Sequence, residues 1–195
     1  MTKNKFPVWA IVLISILGIA LLIGLFFGGT YNSLVGMDEE VNNAWGNVQS
    51  AYQRRADLIP NLVSTVKAYS DYEGDVLTEV TKARASVGSA KTPAELGEAG
   101  AELNSALSKL LVVVEAYPDL KANSNYLDLQ VQLEGTENRI KVERDVYNKA
   151  VKNFNTKVRR FPSNIVAGMY NFEQKDYFES DEGSQNAPDV GELFN

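Results

Sequence analysis

The chain has 195 residues, carries a formal net charge of −6 and contains neither cysteine nor histidine. The lack of these two residue types excludes disulfides, thiol catalysis, Cys- or His-based metal sites and the Glu-x-x-His di-iron centres of helical bundles. We therefore expect neither catalytic activity nor a cofactor. The acidic balance also argues against nucleic acid as a partner, because nucleic-acid binding needs a basic surface.

The first predicted element is a transmembrane helix over residues 6–27, which are uncharged and almost wholly apolar. At about 1.5 Å per residue this helix is roughly 33 Å long, enough to cross a bilayer core of about 30 Å. The stretch is longer than the apolar region of a signal peptide, and no A-x-A-like cleavage site follows it. We therefore predict an uncleaved single-pass anchor over residues 1–30, with the lipid bilayer as its partner.

The orientation of this anchor is predicted from the basic residues around it. Lys3 and Lys5 precede the apolar helix, and the next Lys or Arg is Arg54. The positive-inside rule therefore modestly favours a cytoplasmic N-terminus, with the rest of the chain outside the cytoplasm.

Small residues recur every four positions in the apolar helix, at Ala20, Gly24 and Gly28. Such a stripe lets two helix backbones approach closely, which predicts self-association in the membrane. The alternative is that glycine is simply common in membrane helices.

The remainder of the chain shows the periodicity of long helices rather than that of strands. Residues 31–69 predict a helix that continues from the anchor, residues 76–87 a shorter one, and residues 123–161 the last one. A third helix begins after Thr92 and ends at Pro118. Its start combines an N-cap, a proline at the first helical position and a capping-box glutamate.

Apolar residues at seven-residue steps mark both long helices. They are Leu34, Val41, Val48, Leu62 and Tyr69 in the first, and Tyr126, Leu133, Ile140, Tyr147, Phe154 and Phe161 in the last. We therefore predict an all-α fold in which an antiparallel up-and-down four-helix bundle, residues 31–165, follows the anchor. Residues 166–195 are predicted to be an acidic, partly disordered tail, with the disorder concentrated in residues 180–195.

The segment RRADLIPN, residues 54–61, is the first candidate site. Pro60 has no backbone N–H, so the carbonyl of Ala56 loses its usual partner and a kink is expected. Arg55 falls on the apolar stripe, where an unpaired charge costs several kcal/mol.

We therefore predict that Arg54 or Arg55 pairs with an acid of the last helix, either Glu137 or Glu143. The resulting site is interpreted as a structural ion pair beside a kink, and the alternative is a pocket for a small ligand. The structural or interaction candidates here are Arg54, Arg55, Asp57, Pro60, Asn61, Glu137 and Arg139.

The segment EAYPDLKAN, residues 115–123, is the second candidate and joins the last two helices. A proline after one helix and an asparagine before the next indicate a capped turn. The alternative is a hard-cation site, for which two carboxylates alone are weak support. The candidates are Glu115, Tyr117, Pro118, Asp119 and Asn123.

Two further features invite a prediction. Gly135 lies in the middle of the last helix, where glycine costs about 1 kcal/mol relative to alanine, so we expect a neighbouring helix to approach it closely. Aromatic residues alternate with acids in the tail and are predicted to dock either on the bundle or on a partner. These are Tyr170, Phe172, Tyr177, Phe178 and Phe194.

Several of these segments together resemble the LemA family of bacterial membrane proteins. The longest matching stretches are YNSLV (31–35), VNNAW (41–45), RRADLIPNLV (54–63), EAYPDLKAN (115–123), TENRI (136–140) and FPSN (161–164). The resemblance implies one N-terminal membrane helix and an antiparallel bundle of long helices, without an established activity, cofactor or substrate. It also implies a short N-terminus outside the cell, which opposes the charge count, so the orientation stays open.

The favoured function is that of a membrane-anchored helical scaffold or interaction protein without catalytic activity. It is expected to form a homo-oligomer, or to present its bundle to another membrane protein. The alternative is a membrane-tethered sensor that binds a small ligand near the kink in residues 54–61.

Overall fold

The computed structural model describes residues 7–69 and 74–178, and this part of the chain is helical without any strand. Its helices are α1 (Val8–Lys67), α2 (Gly74–Ser89), α3 (Pro93–Val114), α4 (Pro118–Lys121), α5 (Ser124–Arg159) and α6 (Ser163–Met169). The predicted all-α class is confirmed. The predicted disorder of residues 180–195 and the contacts of Phe194 lie outside the described residues, as do Lys3 and Lys5.

Helix α1 is 60 residues long and runs without a break from the apolar segment into the amphipathic one, as predicted. Its most apolar window has a mean hydropathy of 3.0, and none of that window is buried. Buried positions begin only at Thr30 and Leu34. By length and composition, the first part of α1 is therefore a candidate membrane span.

The chain forms two compact units, to which α1 and α5 both contribute. The first unit comprises Met1–Asn42 and Ala150–Lys175, and the second comprises Asn43–Lys149 and Asp176–Asn195. The candidate membrane span belongs to the first unit. The two segments singled out above, residues 54–61 and 115–123, both belong to the second.

The described part of the second unit contains segments of α1 and α5 together with α2, α3 and α4. Contacts between the α1 side and the α5 side join Trp45 with Tyr147, Arg55 with Glu137, and Tyr69 with Asn123. Residue numbers rise along one helix as they fall along the other, so the two helices are antiparallel. Helix α2 packs on α3, where Lys109 forms an ion pair with Glu79.

Helix α3 begins as its sequence predicts. The Oγ1 of Thr92 accepts a hydrogen bond from the N–H of Glu95 at 3.2 Å, and the Glu95 carboxylate accepts one from the N–H of Thr92 at 3.3 Å. This reciprocal pair is a capping box, and a proline occupies the first turn of the helix. One face of α3 is apolar and buried, at Leu96, Ala99, Leu103, Leu107, Leu110 and Val114.

Some predicted details are wrong. Residues 118–121 form a separate helix, α4, because Pro118 suits a first helical turn as well as it ends α3. The last member of each long stripe is exposed: Tyr69 follows the end of α1, and Phe161, which is 76% exposed, follows the end of α5. A seven-residue pattern identifies a buried face only while the helix continues.

Helix α6 and the chain after it pack within the first unit. Asn171, at a φ of 57°, adopts the left-handed conformation just past α6, and the N–H of Phe172 donates to the carbonyl of Ala167 at 3.0 Å. This is the Schellman arrangement, which turns the chain sharply out of a helix. The Tyr170 ring then lies 4.6 Å from that of Tyr31 between centroids.

Candidate functional site

Arg55 lies on the core face of α1 and is buried. Its guanidinium forms an ion pair with Glu137 of α5, which confirms that an arginine of this segment pairs with one of the two predicted acids. Burial disfavours the charged guanidinium and lowers the pKa of Arg55. The Glu137 side chain is 47% exposed, so water still reaches one partner of the pair.

Glu143, the other predicted acid, has a different partner. Arg139 lies one turn before it on α5 and contacts its carboxylate at 2.6 Å. Glu143 is buried whereas the Arg139 side chain is mostly exposed. Arg139 thus pairs with the buried Glu143 carboxylate within α5, and Glu137 remains to pair with Arg55 of α1.

Pro60 does remove a helical hydrogen bond, and the structure supplies a replacement that the sequence did not reveal. The Nε of Arg84, from α2, donates to the carbonyl of Ala56 at 2.9 Å. Ala56 is buried, so an unpaired carbonyl there would be costly. Arg84 therefore joins α2 to α1 at the point where proline interrupts the α1 ladder.

A cavity of about 360 Å³ lies beside the Arg55–Glu137 pair, between α1, α3 and α5. Its wall is mostly apolar and includes Leu62, Leu107 and Leu110, which are buried. Its polar side is formed by Arg55, Gln130, Glu134, Glu137 and Asn138. The Nε of Arg55 is buried without a hydrogen-bond partner among the described residues.

The other candidates of the first segment face outward. Arg54, Asp57, Pro60 and Asn61 are exposed. Asp57 accepts a hydrogen bond from the Gln53 amide at 2.7 Å, and the Asn61 carbonyl accepts one from Thr65 Oγ1 at 2.9 Å. They line the outer surface of α1 rather than the cavity.

The hinge of residues 115–123 caps the start of α5 and contacts the residue Tyr69, just after the end of α1. The Oδ1 of Asn123 accepts hydrogen bonds from the N–H groups of Asn125 (2.9 Å) and Tyr126 (3.2 Å), as an N-cap does. Its Nδ2 donates to the hydroxyl of Tyr69 at 3.0 Å. The predicted capped turn is therefore present.

The remaining hinge residues form no ligand set. Glu115 pairs with Lys121 at 2.5 Å, Pro118 opens α4, Asp119 is exposed, and the half-buried Tyr117 donates its N–H to the Val114 carbonyl. Within residues 7–69 and 74–178 there is no group of three His, Cys, Asp or Glu placed to hold a metal ion.

Two asparagines of α5 form contacts that sequence reasoning missed. In the first unit, Asn155 accepts from the N–H of Lys175 and donates to its carbonyl, both at 2.9 Å. In the second unit, Asn148 does the same with Phe178, at 2.9 and 3.0 Å. Each amide thus holds the extended chain after α6 in the way a neighbouring strand would.

Aromatic contacts complete this attachment. The Phe178 ring packs on Trp45 and Tyr147, at 5.7 and 5.4 Å between centroids, and the hydroxyl of Tyr147 donates to the carbonyl of Asp176. Burial raises the pKa of Tyr147. Of the tail aromatics, Tyr170 and Phe172 contact Tyr31 in the first unit and Phe178 packs in the second, whereas Tyr177 is exposed.

The prediction for Gly135 is wrong. No atom of the described chain lies within 4 Å of the position that a Cβ would take there. The close approach occurs instead at Gly100 of α3, where an added Cβ would lie 2.6 Å from Cε1 of Tyr52. At Ala20, Gly24 and Gly28 the helix surface is exposed, and an added Cβ at either glycine would meet no described atom.

Comparisons with known proteins identify the family of this chain. The chain is 28% identical over 187 residues to Protein LemA of Metamycoplasma hominis, covering 92% of this chain and 84% of that protein. It is 27% identical over 199 residues to Magnetosome protein MamQ 2 of Paramagnetospirillum magneticum, covering 89% and 73%. A sequence model described as the LemA family matches residues 44–191. The chain belongs to the LemA family.

Proposed function

We propose that this protein is a membrane-anchored helical scaffold without catalytic activity, and that it self-associates. The observation that carries the proposal is α1, a single 60-residue helix with a wholly exposed apolar segment at one end and core positions of the second unit at the other. Exposed apolar surface of that length is stable in lipid and not in water.

Self-association is supported by the small-residue stripe of the same helix. Gly24 and Gly28 are open to an approaching backbone, because no described atom surrounds them. In lipid, helices associate by close packing at such positions rather than by burial of apolar area. Copies held in one bilayer also meet at a raised effective concentration.

The test is the mass of the full chain in lipid nanodiscs or mild detergent, measured by native mass spectrometry. We expect oligomers in the wild type and a marked loss of them in Gly24→Leu. Gly18→Leu is the matched control, since Gly18 lies on another side of the helix and is equally open. A strictly monomeric wild type that captures no membrane protein after crosslinking overturns the proposal.

A sensor is the second candidate function, favoured by the cavity beside Arg55. The cavity volume suits a small molecule, and its mostly apolar wall meets the polar side chains of Arg55, Gln130 and Asn138. Glu134 and Glu137 outnumber Arg55 around it, so the fitting ligand is an uncharged or cationic molecule with an apolar body.

A thermal-shift screen of the full chain in nanodiscs tests this candidate. A ligand present at 100 times its Kd stabilises the folded state by about 2.7 kcal/mol. Small aromatic amines and amides should raise the unfolding temperature, whereas matched aromatic carboxylates should not. If no amine or amide shifts the transition, or if Leu107→Trp leaves a shift unchanged, the cavity is not the binding site.

A further inference from the structure

Helix α5 has a second apolar face, which the core does not use. Leu127, Val131, Val142 and Val146 are between 46% and 68% exposed. Exposed valines are unusual in a helix that only needs to be soluble, because β-branched residues are weaker helix formers than polar alternatives such as Glu or Lys. We define the α5 outer face as Leu127, Val131, Gly135, Asn138, Val142 and Val146.

Gly135 lies in the middle of this face, and no other described segment contacts the position of its missing side chain. Glycine weakens a helix relative to alanine. At Gly100 the Tyr52 ring occupies the space of the missing side chain, but no described atom does so at Gly135. Other helical glycines, Gly46 among them, are equally open, so what distinguishes Gly135 is its place at the centre of the α5 outer face, where it leaves room for the backbone of another molecule.

The spacing of the face differs from that of the core stripe. Leu127 and Asn138, Val131 and Val142, and Gly135 and Val146 are each eleven residues apart. A repeat of eleven corresponds to about 3.67 residues per turn and is the pattern of helices that pack with a slight right-handed supercoil. The core stripe instead repeats at seven. One helix therefore carries two packing patterns, and among the described residues only the seven-residue one is buried.

Charges beside the face fit an identical helix in parallel register. Glu134 and Arg139 are exposed and lie just outside Gly135 and Asn138, on opposite edges of the face, although Arg139 also contacts Glu143 and Glu134 accepts a hydrogen bond from Gln130 within the same helix. When two copies lie parallel, the acid of each faces the base of the other, as flanking charges do in parallel coiled coils. Asn138 then faces Asn138, a central polar pair of the kind that selects one register.

We propose that the α5 outer face binds the same face of a second copy of this chain, parallel and in register. The proposal rests on the proposed self-association and adds where the copies meet outside the bilayer. Copies inserted in one direction are related by rotation about the membrane normal, which preserves the sense of every helix. A single-helix face buries less than the roughly 1,200 Å² of a stable interface, so it depends on co-anchoring.

Cysteine crosslinking in membranes tests the proposal, because the chain has no cysteine of its own. Val131→Cys and Val142→Cys are each treated with a short bis-maleimide, and Val112→Cys on α3 is the matched exposed control. We expect covalent dimers for both α5 variants, at least ten-fold above the control. Equal yields at all three positions overturn the proposal, as does dimer formation only when the two α5 variants are mixed.

A second pair of variants separates an interface from a structural role. Gly135→Leu should weaken the membrane dimer at least ten-fold without lowering the unfolding temperature of the monomer, and Gly46→Leu, another helical glycine without close described neighbours, should leave the dimer unchanged. If Gly135→Leu dimerises like the wild type, the proposal fails. Oligomers that persist without α5 crosslinks overturn this interface alone, whereas a strictly monomeric wild type overturns the proposed self-association as well.

Discussion

The two long helices each contain, far from their ends, a residue that helices disfavour: Pro60 in α1 and Gly135 in α5. The gap that Pro60 leaves in the hydrogen-bond ladder is filled from within the chain, since Arg84 donates to the Ala56 carbonyl. Nothing in the described chain approaches Gly135. The first irregularity therefore belongs to the fold of the described chain, whereas the second fits the interface proposed for the α5 outer face.

The same contrast extends to the neighbours of Pro60. Arg55, a charge on the core face, has Glu137, and Gly100 of α3 has the Tyr52 ring. Both of these features face the core of the second unit, and each is matched by a specific side chain. The predictions below alter these partners, compare Gly100 with Gly135, and end with the start of α3.

The largest effect is expected at the buried ion pair. Glu137→Ala leaves Arg55 buried and unpaired, which should cost about 3 kcal/mol of unfolding free energy, near the low end for buried pairs because Glu137 is half-exposed. Denaturant unfolding of the full chain in detergent measures it. Glu134→Ala, an exposed acid one turn earlier, should stay within about 0.5 kcal/mol.

The charge-reversed double variant Arg55→Glu with Glu137→Arg is the decisive partner experiment. It should recover most of the stability lost in either single reversal, because the pair is restored with exchanged ends. A double variant no more stable than the singles would show that the two side chains do not act as a pair.

The two glycines should respond to alanine with opposite signs. Gly100→Ala should cost about 2 kcal/mol, because the added methyl overlaps the Tyr52 ring and must displace it. Gly135→Ala should raise monomer stability by up to about 1 kcal/mol through helix propensity. Gly97→Ala is the control on α3, where the new methyl meets Phe178 at an ordinary 3.8 Å. Equal responses at Gly100 and Gly135 would contradict the contrast.

A smaller effect is expected for Arg84. Arg84→Met keeps the apolar stem and removes the donor, so the buried Ala56 carbonyl is left unpaired at a cost of about 1.5 kcal/mol. In a Pro60→Ala background the helix supplies its own N–H to that carbonyl, and the cost should largely disappear. A double-mutant cycle by denaturant unfolding gives the coupling, with the exposed Lys82→Met as control. Additive losses would show that Arg84 does not serve the proline gap.

The smallest effect is the acid sensitivity of the α3 N-terminus. The backbone N–H groups of Lys91 and Thr92 donate to the Glu95 carboxylate and lower its pKa. The stabilisation is therefore present above the unfolded pKa of about 4.3 and is lost as the pH falls through the lower folded value. Glu95→Gln should reduce the stability lost between pH 7 and pH 3 relative to the wild type. Unfolding midpoints across that range measure the difference.

Much of the site was predictable where the argument was local. An apolar stripe at seven-residue steps that is interrupted by Arg55 implies a partner acid. Antiparallel packing of the two long helices places Arg55 opposite the part of the last helix that carries Glu137 and Glu143, which limits the candidates to these two acids. The choice between them was beyond that argument, because it depends on Arg139 satisfying Glu143 from the same helix. Arg84 was missed since its contact depends on the register between α1 and α2.

The contacts of Asn148 and Asn155 with the chain after α6 could have been predicted from the sequence. Asn148 and Asn155 lie seven residues apart and directly follow Tyr147 and Phe154 of the core stripe, so each stands at the edge of the buried face. Polar residues repeated at a core edge suggest that a polar backbone runs along it. The short helices α4 and α6 were missed for another reason, because four and seven residues are too few to show a period.

The order of residues alone determined the apolar first part of α1, the long helices, the start of α3 and the absence of cysteine and histidine chemistry. These follow from composition, periodicity and capping, which are properties of neighbours along the chain. The tertiary structure decided which acid pairs with Arg55, which side chain donates to the Ala56 carbonyl, which glycine is crowded, and that α5 has an exposed apolar face. Each of these depends on distances between segments remote in sequence, which packing sets and local propensity does not.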